Sequence, residues 1–198
     1  MTKPIALVTL LVLAVGCGAD QASANTSDSA ENAAGVAYFA GGCFWGVEHF
    51  MEAIDGVVSV ESGYMGGDVM SPSYEQVSHK NTGHLETVRV RFDPAKVSYE
   101  KLARRFFEIH DPTQANGQGP DIGAQYHSAI FYSSPTQKQI ADKLIAKLVA
   151  LGYDVVTEVR PAGRFWKAED YHQNYYARTG KQPYCHIPVS RFAHGPTH

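Results

Sequence analysis

Short apolar, β-branched runs take turns with segments whose apolar residues recur on one helical face, from residue 36 to about residue 178. Val36–Ala40 reads as a buried strand, and Val57–Ser62 as a second that leads into a glycine-rich turn, Gly63–Gly67. Leu85–Phe92 alternates cleanly and stops at Asp93-Pro94; Ser128–Tyr132 and Val155–Val159 complete the strands. Between them, Val47, Phe50, Met51 and Ile54 stand at i, i+3, i+4 and i+7 of a helix that ends at Asp55-Gly56. A helix opening at Ser98 carries Tyr99, Leu102, Ala103 and Phe106 on one side and ends before Asp111-Pro112. Ser134-Pro135-Thr136-Gln137 reads as a capping box with proline in the first turn, and the helix behind it buries Ala141, Leu144, Ile145 and Leu148 and closes at Gly152. Glu169–Arg178 reads as a last helix, and Thr179–His198 as irregular coil. Each one-faced helix needs a sheet face to cover, so the pattern predicts an α/β (α+β) two-layer sandwich around a small mixed sheet.

The N-terminal segment does not belong to that sandwich. Lys3 precedes an uninterrupted apolar run, Ile5–Val15, which is too short to span a bilayer but suits a signal-peptide core. The run ends in Leu13-Ala14-Val15-Gly16-Cys17, which resembles the lipobox of bacterial lipoproteins, with Ala14 where that class usually has leucine. The resemblance implies cleavage before Cys17, lipid on that cysteine and a membrane anchor; a plain secretory signal is the alternative. Residues 18–34 are polar and small and read as a flexible tether, so the folded domain is expected over 35–198. The protein is then an exported bacterial one, on the periplasmic side or the cell surface. A net charge of −3 predicts no polyanion-binding surface and hence no nucleic-acid partner. The three cysteines, Cys17, Cys43 and Cys185, show no CxxC or zinc-type spacing, which argues against both a disulfide scaffold and a metal site.

Gly41-Gly42-Cys43-Phe44-Trp45-Gly46 places Cys43 where a strand hands over to a helix. Unpaired N–H groups and the helix dipole at that point favour the thiolate, and the glycines leave the sulfur accessible. Glu86 shares the parity of Val88, Val90 and Phe92, so its carboxyl falls on the apolar face of a strand. Burial there raises a carboxyl pKa and makes a proton donor. The same residue at a strand end can instead reach solvent or pair with Arg89 or Arg91. Phe44 and Trp45 suit either the core or the wall of a small pocket. Tyr74 and Tyr126 stand in loop-like contexts and read, taken alone, as structural.

The Gly-Cys-Phe-Trp-Gly run resembles that of peptide methionine sulfoxide reductases of the A type. In the same order along the chain follow Gly63–Gly67, Pro72–Val77, Thr82–Glu86, His110–Gln114, Gln118–Tyr126 and Ala168–Gln173, over roughly residues 36 to 186. The resemblance implies a ferredoxin-like sheet and thiol-dependent reduction of methionine S-sulfoxide, free or in proteins. It makes Cys43 the nucleophile and Glu86 the donor to the sulfoxide oxygen, aided by Tyr74 and Tyr126. Phe44 and Trp45 hold the methyl group, and Asp121 orients the site. Cys185 resolves the Cys43 sulfenic acid to a disulfide, and a thioredoxin-like partner reduces that disulfide in a monomer without bound cofactor. Three positions depart from the family pattern: His127 replaces an arginine, Ser78 a frequent cysteine, and no cysteine follows Cys185. The competing readings are a cysteine hydrolase using His84 or His172 as base, and a surface lipoprotein without turnover.

Overall fold

The computed structural model describes Met1 and residues 34–196. The expected signal peptide over 1–17 with Cys17, and the tether up to residue 33, lie outside the described residues. The strands are β1 (Gly35–Gly41), β2 (Val57–Met65), β3 (Leu85–Phe92), β4 (Gly117–Gln118), β5 (Asp121–Ile122), β6 (Ser128–Tyr132), β7 (Glu158–Pro161) and β8 (Trp166–Lys167). The helices are α1 (Phe44–Glu52), α2 (Tyr74–His79), α3 (Tyr99–Ile109), α4 (Pro135–Ala150) and α5 (Tyr175–Thr179).

Six strands form one sheet in the order β7-β6-β1-β3-β2-β8, in which only β6 and β7 run parallel. Its centre, β6-β1-β3-β2, is built from two interleaved units, β1-α1-β2 and β3-α3-β6, which is the ferredoxin-like arrangement. Alternation along each strand sorts the two faces. Phe39, Val88, Val90, Phe92 and Ile130 meet Val47 and Met51 of α1, Leu102 and Phe106 of α3 and Leu148 of α4 in the main core. Tyr38, Ala40, Met65, Leu85, Ala129 and Phe131 face the other way, under Ala162 and Phe165. Each large side chain buried in this way contributes about 1.5–3 kcal/mol.

The register sets the place of chemistry. Gly41 pairs with Ser128, and Tyr64 with Glu86. The last residues of β1 and β2 therefore meet the first residues of β3 and β6 at one end of the sheet. Gly42–Trp45, Tyr74, Glu86 and Tyr126 all belong to that end.

Several elements differ from the sequence-based expectation. β2 runs on through Gly63 to Met65, because Gly63 lets the Phe165 ring and the Trp166 carbonyl come closer than a Cβ would permit; the turn comes at Gly66, with φ +96°. The strand expected at Val155–Val159 begins at Glu158, since the Val156 amide donates to the Pro112 carbonyl instead of a neighbouring strand. The helix expected over Glu169–Arg178 is split into a 3-10 turn, Asp170–His172, and α5. Between them Asn174, at φ +52°, donates its N–H to Glu48 Oε2 at 3.0 Å. At Ser134 half of the expected box forms: its Oγ caps Gln137 N at 3.2 Å, but Gln137 Oε1 accepts from Ser133 N. A complete box sits at Ser73/Gln76 and starts α2. The C-terminal coil is irregular as expected, and it is tied down by Val189 N donating to Glu108 O at 2.7 Å and by Phe192 packing on Phe107.

Candidate active site

Gly42 lies at φ +92° with no room for a Cβ beside Gln118, so the chain can leave β1 and enter α1 there only as glycine. Cys43 then occupies the N-cap position of α1. Two expectations about its sulfur are corrected. It is not accessible: Cys43 is 6% exposed, because the C-terminal coil lays Cys185 against it. Nor is its thiol pushed down by the helix terminus. The hydrogen bond with Cys185, burial and the nearby Glu86 carboxyl together hold it well above the ordinary thiol range, against the Trp45 amide.

Both cysteines are free thiols, and their sulfurs lie with an Asp121 carboxylate oxygen within 4.8 Å of one another. Sequence spacing gave no hint of this cluster, because a strand end, a hairpin and a distant coil assemble it. The same hydrogen bond that raises Cys43 depresses Cys185, and His186 adds to the depression. The pair thus shares one proton, with the negative charge favoured on Cys185. Gly119, at φ +55°, turns the hairpin beside the Cys185 backbone.

Glu86 is 2% exposed, on the helix-covered face of β3, so the reading as a strand-end residue in solvent does not hold. Arg89 pairs with Glu61 instead. The first amide of α1, Phe44 N, donates to Glu86 Oε2 at 3.1 Å. Burial outweighs that bond and pushes the carboxyl up to about 8, so it holds a proton at neutral pH, on the oxygen the amide leaves free.

Tyr74 is the first residue of α2 and Tyr126 closes a 3-10 turn, Ala124–Tyr126. Their phenols face each other, Glu86 and Cys43; burial and Glu86 hold both above the ordinary range, so both are hydroxyl donors. Asp121, on β5, accepts the Tyr184 hydroxyl at 3.1 and 3.3 Å, which ties the hairpin to the residue before Cys185. Phe44 is fully buried among Tyr64, Trp45 and His172. Trp45 is half-buried, stacked on Tyr175 at 3.7 Å, with its indole N–H donated to His172 Nδ1 at 3.1 Å.

The two histidines a hydrolase would need are committed elsewhere. His172 Nδ1 receives the Trp45 indole, while His84 donates Nε2–H to the Val69 carbonyl and accepts the Gly67 amide. Two participants were not anticipated from the sequence. Glu169 accepts the Tyr74 amide at 2.9 Å and the Tyr64 hydroxyl at 3.0 Å, and so fixes the start of α2. His186 places Nδ1 3.0 Å from Cys185 Sγ.

A buried dithiol beneath a protonated carboxyl and two phenols defines a site for thiol redox chemistry. Residues 35–195 match the family described as peptide methionine sulfoxide reductase. Similar proteins include a peptide methionine sulfoxide reductase MsrA of Sulfolobus acidocaldarius, 48% identical over 156 residues that make up 78% of this chain and 88% of that one. Another, from Deinococcus radiodurans, is 48% identical over 157 residues, 78% and 76% of the two chains. Among solved structures, Mxr1 of Saccharomyces cerevisiae in reduced form aligns with TM-score 0.73 and 32% identity over 79% of this chain and 93% of that one. Methionine sulfoxide reductase A of Corynebacterium diphtheriae aligns with TM-score 0.68 and 34% identity, over 79% and 84%. The chain belongs to the peptide methionine sulfoxide reductase family, in its A-type branch.

Proposed function

We propose that the protein is a peptide-methionine (S)-S-oxide reductase that repairs oxidised methionine, and that the residues clustered around Cys43 carry the reaction. The observation that supports this most is the Cys43–Cys185 pair held against a neutral Glu86. A sulfoxide sulfur becomes electrophilic when its oxygen gains a proton, and the Glu86 carboxyl is in the state to give one. Tyr74 and Tyr126 donate to the same oxygen. Cys43 attacks the sulfur, the substrate S–O bond breaks as the protonated oxygen passes to the Cys43 sulfur, and methionine leaves with Cys43 as a sulfenic acid. Trp45 and Phe44 hold the substrate methyl, and Asp121, through Tyr184, keeps the Cys185 segment in place. Because Cys185 covers Cys43, its coil moves aside to admit substrate and returns to form the disulfide.

Electrons come from a thioredoxin-like protein without a bound cofactor. Tyr184 and Ile187, 57% and 73% exposed beside Cys185, offer such a partner an apolar landing. The lipobox-like run ending at Cys17 supports export and a lipid anchor on the outer side of a bacterial membrane.

The direct test is an assay of both diastereomers of methionine sulfoxide with dithiothreitol. The S form should be reduced, the R form should not, and Cys43→Ser should abolish the reaction. Equal reduction of both forms, or activity retained in Cys43→Ser, would contradict the assignment.

A further inference from the structure

We propose that His186 is the base that activates Cys185, so that the resolving sulfur attacks the Cys43 sulfenic acid as a thiolate paired with an imidazolium. The inference rests on the reductase reading and adds to it a residue that the family resemblance did not carry.

The tautomer is fixed by the backbone. His186 Nε2 lies 2.7 Å from the Gly41 carbonyl oxygen, and a carbonyl can only accept. Nε2 therefore carries a proton. In the neutral ring that leaves Nδ1 as an acceptor, and Nδ1 is the atom 3.0 Å from Cys185 Sγ. Cys185 S–H donates to it; once the proton crosses, Nδ1–H donates back to the thiolate.

The ring has nowhere else to go. His186 is buried, and it lies against the first turn of α1, where a Cβ on Gly46 would overlap Nδ1. The glycine in that turn makes the notch that the imidazole fills. Gly41, whose carbonyl holds Nε2, ends β1 two residues before Cys43. One stretch of backbone thus positions the attacking cysteine and orients the base of the resolving one.

The step balances without an outside oxidant. Nδ1 takes the Cys185 proton; the thiolate attacks Cys43 Sγ; an S–S bond forms and the Cys43 S–O bond breaks. The departing hydroxide takes the proton held on the imidazolium and leaves as water, and His186 returns to its neutral form. Cys185 is oxidised and the Cys43 sulfur reduced in the same event. The ionisable groups facing Cys185 are Cys43, Asp121, Glu86, Tyr176 and Tyr184. His110, beside His186, is kept neutral by burial, which brings it down to about 3, so it adds no competing cation.

The test is a rapid-quench single turnover of the full-length reduced protein with methionine S-sulfoxide and no reductant, following methionine, dimedone-labelled Cys43 and the disulfide. His186→Gln keeps an amide N–H for the Gly41 carbonyl but cannot take a proton. Its disulfide-forming rate should fall on the order of tenfold or more, with sulfenic acid accumulating once methionine has formed. That rate should also climb about tenfold per pH unit, because Cys185 must then ionise unaided. Disulfide formation at the wild-type rate and pH profile would overturn the proposal. Absence of methionine from the wild type would overturn the reductase reading instead. A second measurement does not depend on the folding of His186→Gln. In Cys43→Ser the Cys43 thiol that lowers Cys185 most is gone but the His186 contact stays, so Cys185 should still alkylate as a thiolate below the ordinary thiol value. A titration at the ordinary thiol value of about 8.5 would overturn the pairing.

Discussion

Burial of the Glu86 carboxyl against the Phe44 amide sets both its chemistry and its effect on stability. Its folded value is raised from 4.5 to about 8, so between those values the folded protein holds a proton that the unfolded chain has lost. The Glu86 contribution to stability therefore falls as pH rises through that window, and the full cost persists above it. Glu48, raised by burial to about 7, adds a smaller loss of the same sign over a narrower window. Glu86→Gln should remove the Glu86 contribution and stabilise the fold relative to wild type at about pH 8.5 by on the order of 1–3 kcal/mol, while methionine formation falls about 10²-fold or more. Denaturant melts at about pH 5.5 and 8.5 check the first part and single-turnover rates the second; an unchanged rate would make Glu86 structural. Glu86 was legible in the sequence because strand parity is local. His186 was not, because the groups that fix its ring, the Gly41 carbonyl and the Gly46 notch, come from the opposite end of the folded chain.

At the scale of elements, the first turn of α1 is the most heavily used piece of backbone. It supplies an amide to Glu86, a cap position to Cys43 and a notch to His186. In an ordinary helix Gly46→Ala would stabilise by about 1 kcal/mol. Here it should lower the melting temperature and slow disulfide formation, because the new Cβ displaces the imidazole; a raised melting temperature with unchanged resolution would show that the notch is not used. The long periodic elements, β1, β3, α1, α3 and α4, could be read from the sequence, since each buries one face at a fixed period. Elements held by tertiary contacts could not: two-residue strands such as β4 and β5 lack a period, and the break before α5 depends on Glu48 reaching Asn174. The start of α2 was marked by Ser73-x-x-Gln76, a capping pattern inside a stretch that otherwise reads as loop.

Across the whole molecule, the order β6-β1-β3-β2 brings four strand ends to one edge, and the C-terminal coil closes that edge with Cys185. This explains how motifs spread over more than a hundred residues serve one sulfur. At the other terminus, wild-type protein should partition into detergent and fractionate with membranes, whereas Cys17→Ser should carry no lipid; a soluble wild-type protein starting at another residue would refute the anchor. Methionine is made by oxidation of two thiols in one chain, and a stoichiometric turnover measures that. Reduced protein, freed of reductant and mixed with excess methionine S-sulfoxide, should yield about one methionine per chain and then stop. Two thiols should be lost, and a digest should contain the peptide pair joined through Cys43 and Cys185. Continued turnover without reductant, or methionine formed with both thiols still free, would contradict the account.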